Sequence, residues 1–473
     1  MEMENNGTPR TPTPHRRHRK HSQRSLRIYL PLLAIAAILI LFIVFAVSSL
    51  RRSSERREQA QKESLEAVQA EALQQQKWAQ EASSVATQAE LLAAGYDYDA
   101  AVALIDAFSG NYYDYDSLVN LRDACIAAKN SLTVWGDPSV IPHLSFHTLI
   151  ADPQRAFADD VYSGSYQHHH ITVTEFRTIL QQLYVNGYVL VSFEDVITPL
   201  QGNDGSVSYS ANLIYLPAGK KPILITQTQP NYYAYMVDGN GDGIPDKDGG
   251  GFASRLMTDA SGKLTCEMVD STGATVTGSY DLVPILEEFI AAHPDFSYHG
   301  ARATLALSGF EGLFGYRTTQ ETATKLSQAY YDQQVQGATE VIAALREKGY
   351  RFACYTYGNI GYGDASVNRI RADLEKWSQE VVPLLGKTDL LVFAKNSDIS
   401  KPKESYSGDK YALLKDAGFR YFLGFCSGSA PWATVSGENV RQGRLMVTGY
   451  NLENNPAYFK GLFDATAVLD SIR

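Results

Sequence analysis

The residues that decide the chemistry of this chain stand at the end of an apolar run. In "KPILITQTQPNYYAYM", residues 221–236, a buried-strand pattern ends in Thr226, Gln227, Thr228 and Gln229, then breaks at Pro230 into a tyrosine cluster. A hydrolase that uses a metal on such a strand would place paired carboxylates at this edge; here the side chains are a hydroxyl and an amide. A second set, Tyr355, Thr356, Tyr357, Gly358 and Asn359, follows the apolar run "YRFAC". A zinc-type site needs imidazole, thiolate or carboxylate donors. Amide carbonyls are weak ligands for such an ion, and a tyrosine at 355 would have to ionise from a pKa near 10. Thr228 is no base near pH 7 unless another group activates it.

Histidine placement narrows the choices further. None of the ten histidines follows His299, and no nucleophile elbow is present, which disfavours a Ser-His-Asp or Cys-His hydrolase. His143 and His147 would chelate on a helix, but "PHLSFH" reads as a strand, where four residues span about 13 Å. His168, His169 and His170 read as a polar loop, with a surface metal trap as the sharper alternative. In "DGNGDGIPDKDGG", residues 238–250, Asp238, Asn240, Asp242 and Asp246 present oxygen ligands around a glycine turn. A structural calcium loop and a plain acidic turn both fit. The four cysteines form no zinc pattern; Cys354 and Cys426 are the pair whose strand ends could meet in a barrel.

These residues must be positioned by a large core, and 473 residues with 44% hydrophobic content can supply one. After Trp135, eight strand-like runs ("IPHLSFHTLI", "YVLVSF", "KPILITQ", "ATLALS", "YRFACYTY", "LLVFAK", "YFLGFC", "RLMVTG") alternate with helical segments near 173–187, 281–292, 320–348, 367–384, 407–417 and 456–471. That alternation predicts an α/β fold with a mostly parallel sheet, closed or doubly wound, and chemistry at the carboxyl ends of the strands. Residues 51–135 read as a helical stalk or small module, because 51–94 lack Pro and Gly and are rich in Ala, Glu, Gln and Lys.

Residues 28–47, "IYLPLLAIAAILILFIVFAV", carry no charge and are long enough to span a ~30 Å hydrocarbon core. A retained anchor is preferred over a cleaved signal because the stretch exceeds the usual apolar region of a signal peptide. Residues 1–27 hold seven Lys/Arg against two Glu, which predicts a cytoplasmic tail and an extracellular remainder. Since the whole chain is −10 and that tail is +5, everything after it carries −15, which argues against a nucleic-acid partner.

The order "IPHLSFHTLI", "VTEFRTILQQLYVNGYVLVSFEDV", "KPILIT", followed by "DLVPILEEFIAAHPDFSYHGARATLALSGFEGLFGYRT" and "ALREKGYRFACYTYGNIGYG", resembles the polysaccharide deacetylases of carbohydrate esterase family 4, the NodB homology family, over roughly residues 137–473. The resemblance implies a distorted (β/α)7 barrel and removal of N- or O-acetyl groups from glycans with a divalent metal. It also implies that Thr228 and Gln229 stand where the family has an Asp-Asp pair, base and metal ligand. Tyr355 and Asn359 would stand at the two histidines of the second motif, and "FAKNSD", 393–398, at the third. His147 matches a first-strand histidine common in the family. With base and ligands replaced together, the expectation is a membrane-anchored, extracellular deacetylase-like barrel, residues 136–473, that has lost hydrolysis, holds no catalytic metal and binds cell-wall or surface polysaccharide. Its cleft would be lined by Tyr232, Tyr233, Tyr235, Tyr316, Arg317, Tyr357 and Trp432. An active deacetylase with a rebuilt site and a structural, partner-binding surface protein are the alternatives.

Overall fold

The computed structural model describes residues 26–158, 161–204 and 206–473. Seven short apolar runs form parallel strands: β1 (His143–Phe146), β2 (Lys221–Thr228), β3 (Thr304–Leu307), β4 (Arg351–Cys354), β5 (Leu390–Val392), β6 (Tyr421–Phe425) and β7 (Val440–Val447). Their order is β3-β4-β5-β6-β7-β1-β2, and β2 pairs back onto β3, so the sheet closes into a seven-stranded barrel. Parallel neighbours need long crossovers. Helices Val173–Val185, Leu282–Ala292, Gln328–Glu347, Val367–Lys376 and Gly408–Asp416 supply five of them. Between β6 and β7 stands instead the strand Ala433–Val435, antiparallel to β7. The eighth expected strand, Tyr188–Leu190, pairs only with the first half of β2 and stays outside the ring.

Side chains on these strands alternate between two environments, as the two-residue period requires. Leu144, Phe146, Ile223, Ile225, Leu305, Leu307, Leu445 and Val447 belong to the apolar layer that the surrounding helices cover. The other set faces the lumen, where small residues such as Ala306 and Ala353 share space with Leu224, Val392 and Leu423. The lumen also holds polar side chains, with His143 Nε2 2.7 Å from Thr226 Oγ1. The helices begin where their sequence caps them: Thr172 and Glu175 form a reciprocal capping box at the start of Val173–Val185. The buried Glu175 is also the ion-pair partner of Arg473, which ties the end of the chain to this helix.

Several expected elements differ. The 456–471 helix is instead two short turns, Pro456–Phe459 and Ala465–Val468, separated by Gly461 at φ +85° and restarted by the Asp464 cap. The 320–348 segment divides at Ser327, whose side chain caps the second helix. Unanticipated is a three-stranded antiparallel sheet, Arg255–Thr258, Leu264–Val269 and Thr275–Gly278, inserted between β2 and β3. All four cysteines are buried and free.

The chain divides between Glu81 and Ala82. The helix Leu26–Ala94 runs across that point, and its exposed apolar stretch near the N-terminus is long and apolar enough to cross a membrane. In the second unit Ala82, Val85 and Ala89 of its last turns are buried, and the helices Tyr98–Asp106 and Asp116–Lys129 pack on one another. The basic segment 1–25 lies outside the described residues.

Candidate functional site

The carboxyl ends of the barrel strands open into a cavity of about 520 Å³. Thr228 and Gln229 after β2, Tyr355 and Asn359 after β4, and Lys395 and Asn396 after β5 all line it, together with His147 and Thr148 beyond β1. The loops that deliver these side chains are bent. Gln229 (φ 58°), Thr356 (φ 62°), Asn359 (φ 50°), Lys395 (φ 55°) and Asn396 (φ 56°) all occupy left-handed backbone regions. Such conformations cost on the order of 1–3 kcal/mol each for residues other than glycine, and they cluster at binding and catalytic sites. A β-branched residue such as Thr356 is a particular outlier there. Asp373 holds the β4 loop in place by accepting from the Tyr357 and Gly358 amides at 2.7 and 2.8 Å and from the Tyr362 hydroxyl at 2.8 Å.

The polar groups of the cavity are largely spent on one another. Thr228 Oγ1 lies 2.9 Å from His147 Nδ1 and 3.1 Å from the Phe146 carbonyl, so the hydroxyl is tied back to β1. Gln229 donates from Nε2 to the Tyr233 hydroxyl at 3.0 Å, and its carbonyl accepts from Thr148 Oγ1 at 2.9 Å. Burial pushes the Tyr355 phenol up despite the opposing charge of Arg444, which keeps it protonated. His170 contacts the Thr148 carbonyl through Nδ1 at 2.7 Å, and burial brings its pKa down to about 4. His147, buried and beside His170, His169 and Arg444, is held well below the ordinary range. His147 and His170 are therefore neutral at pH 7.

The residues present do not suit the divalent metal that the resemblance implies. At the positions in question the donors are a hydroxyl, two amides and a protonated phenol, and among the described residues no Asp or Glu lines the cavity. Among the described residues no group of three His, Cys, Asp or Glu side chains is placed to hold a metal ion. Closest to such a cluster is the imidazole group at the rim, where the His147 ring lies 5.6 Å from His170 and 6.4 Å from His169, centroid to centroid.

Of the aromatic residues expected in the cleft, Tyr233 and Tyr235 line it, with rings 5.9 Å apart and nearly parallel. The others do not. Tyr232 points into the core, donating to Asp281 Oδ2 at 2.6 Å. Arg317 sits behind it on the Tyr232 carbonyl. Tyr316 lines a separate depression with Arg255 and Tyr330. The Tyr357 hydroxyl is turned to Glu380, 2.9 Å away. Trp432 packs flat on Gly443, where a Cβ would come within 2.1 Å of Nε1. In the 238–250 loop, Asp238 accepts from the amides of Asn240, Gly241 and Gly243, and Asp246 from Gly239, Asn240 and Asp248. Asn240 and Asp242 likewise accept from amides two residues on.

Lys395 and Asn396, at a strand end where the sequence placed chemistry, do line the cavity, whereas sequence reasoning missed His168, His169, Tyr450 and Asn451 as lining residues. The helix Ser163–His169, which packs against Gly449–Asn454, brings these four together, and His168 stacks on Tyr450 at 4.5 Å. Nothing in the spacing links 168 with 450.

The fold and site define a closed parallel (β/α)7 barrel with a polar cavity at its carboxyl face. No protein-family model matches the chain, and no curated protein does. Among solved structures it is similar to a Streptococcus pyogenes deacetylase, PplD, in complex with acetate, at 13% identity over 66% of this chain and 96% of that one, with a TM-score of 0.31.

Proposed function

We propose that this chain is a membrane-anchored, deacetylase-like protein of the cell envelope whose barrel binds a cell-wall or surface polysaccharide without hydrolysing it. One observation carries the reading: Thr228, Gln229, Tyr355 and Asn359 share one cavity at the carboxyl face of the barrel, and among the described residues no carboxylate lines it. The site thus has the position of an active centre without a base or a ligand set. What it offers a ligand is aromatic surface from Tyr235 and Tyr450, which are 43% and 44% exposed, beside amide and hydroxyl groups. Aromatic faces and convergent polar groups suit a sugar ring, and the volume falls in the ~300–1,000 Å³ range of ligand pockets. The apolar N-terminal helix supplies the anchor, and the excess of Lys and Arg in 1–27 favours a barrel outside the cell.

The test uses the full-length chain in non-ionic detergent with N-acetylated oligosaccharides. Binding without acetate release, unchanged by chelator, is the expected result. Thr228→Asp, Gln229→Asp, Tyr355→His and Asn359→His introduced together should create zinc binding, while any one alone does little. Chelator-sensitive acetate release by the unaltered chain overturns the reading in favour of an active deacetylase with a rebuilt site. The His147, His169 and His170 group is the observation that favours that second reading. Protease added to intact cells should digest residues 95–473; a protected barrel overturns the localisation.

A further inference from the structure

Below the cavity floor the barrel lumen holds a cation. Arg444 on β7 is 1% exposed. Its Nη1 donates to Ser145 Oγ at 3.1 Å and lies 3.0 Å from Met446 Sδ; its Nη2 donates to the Phe393 carbonyl at 3.0 Å. Nε has no partner. None of these contacts is a carboxylate. The acidic group whose field it feels, Asp398, is already paired with Arg441 at 2.9 Å. Burial lowers the guanidinium's pKa, yet arginine remains charged at any physiological pH. A buried charge with no counter-charge is costly to keep, and its field is poorly screened.

That field reaches the cavity, because Arg444 Nη1 lies 3.0 Å from Sδ of Met446, which lines it, and the charge also acts on the lining residues His147 and Tyr355. Lys395 adds a second positive charge at the rim, exposed and held there by its left-handed backbone. Among the described residues the carboxylates of the neighbourhood are engaged elsewhere: Glu311 with the Ala234 amide and Arg317, Asp364 with Ser397 Oγ, and Asp398 with Arg441. The cavity is therefore a positive site in a chain whose residues after 27 sum to −15. We propose that it selects its glycan through an anionic substituent, a carboxylate or a phosphate ester, seated between Lys395 and the floor above Arg444. This rests on the glycan-binding reading and names the ligand class for that same cavity. A bound anion would supply the counter-charge that Arg444 lacks, and neutral His147 and His170 would not compete with it for that role.

The experiment is calorimetric titration of the full-length chain in non-ionic detergent with three ligands: a uronic-acid trisaccharide, the same trisaccharide with its carboxylates reduced to alcohols, and a trisaccharide bearing one phosphate monoester. One of the anionic ligands should bind about ten-fold more tightly than the neutral one at low salt, and the advantage should shrink as salt screens the exposed Lys395. Whichever is preferred identifies the substituent. Lys395→Gln, an exposed position that does not threaten folding, should reduce the advantage about three-fold; Arg444→Met should reduce it further. Equal binding of all three ligands overturns this inference and leaves the glycan reading intact. Binding of none overturns both. An anionic preference that survives in both variants also overturns it, and assigns the effect to the basic segment 1–27, which every variant retains.

Discussion

The two faces of the barrel strands obey different physics although they alternate residue by residue. On β1 and β7 the outer face is Leu144, Phe146, Leu445 and Val447, packed under helices in the apolar layer. The inner face of the same strands is His143, Ser145, Gln442, Arg444 and Met446, all buried and mostly polar. The outer layer gains stability from area removed from water. The lumen instead spends stability on polar groups that are incompletely paired, since among the described residues His143 Nδ1 and Arg444 Nε have no partner there. Unpaired buried polar groups are expected where a ligand completes them rather than where a fold is held together. The comparison assigns folding to one face and recognition to the other.

The largest effect should come from the outer face. Phe146→Ala removes a ring that is fully buried and packed edge-on against Phe176, 5.0 Å away, and should cost about 3–5 kcal/mol in denaturant unfolding. A cost below about 1 kcal/mol would break the division at its stable end.

Acidification should come next, because it charges His143 on the inner face and His170 at the rim of the cavity. Burial takes His143 down to about 3 and His170 down to about 4, from an ordinary 6.5. The unfolded chain therefore binds these protons first as pH falls. Stability is complete above pH 6.5 and is lost as pH drops towards 4, by about 3 kcal/mol for His170 on simple linkage. Urea unfolding across this range should show the slope, and His170→Gln should flatten it; an unchanged slope would mean that the histidine is not the group that titrates.

Arg444→Met should lie within about 1–2 kcal/mol of the parent, since removing an uncompensated buried charge offsets the loss of a donor to the Phe393 carbonyl. A loss as large as that of Phe146→Ala would make Arg444 a structural strut and blur the two faces. The smallest change belongs to neither face. If the 238–250 loop takes calcium, the ion should raise the melting temperature by mass action, and Asp242→Ala should remove the increase. Equal melting in calcium and in chelator would assign a plain turn, in which the carboxylates do no more than accept the amide bonds already seen.

Local pattern made much of the barrel readable. Each strand is a short apolar run between amphipathic helices, and the carboxyl-end rule then pointed to Thr228, Gln229, Tyr355 and Asn359, which the structure places in one cavity. The aromatic lining was harder because adjacent residues diverge: Tyr232 turns to the core and Tyr233 to the cavity, a difference set by the Tyr232 φ of +52° and the buried Asp281. Composition does not reveal such a turn. The same limit hid the 255–278 sheet, whose alternation in "LTCEMV" is the period-two signal of a half-buried strand.

The sequence alone determined the apolar helix, the alternating α/β order and the absence of carboxylates at the two motif positions, because each is a property of residues near one another in the chain. Tertiary structure alone decided that His168 meets Tyr450 and that Arg444 lies in the lumen with no carboxylate among its contacts. Those relations join segments tens to hundreds of residues apart. They exist only once ring closure has fixed which face of each strand points inward, and a slip of one residue would have exchanged the two faces.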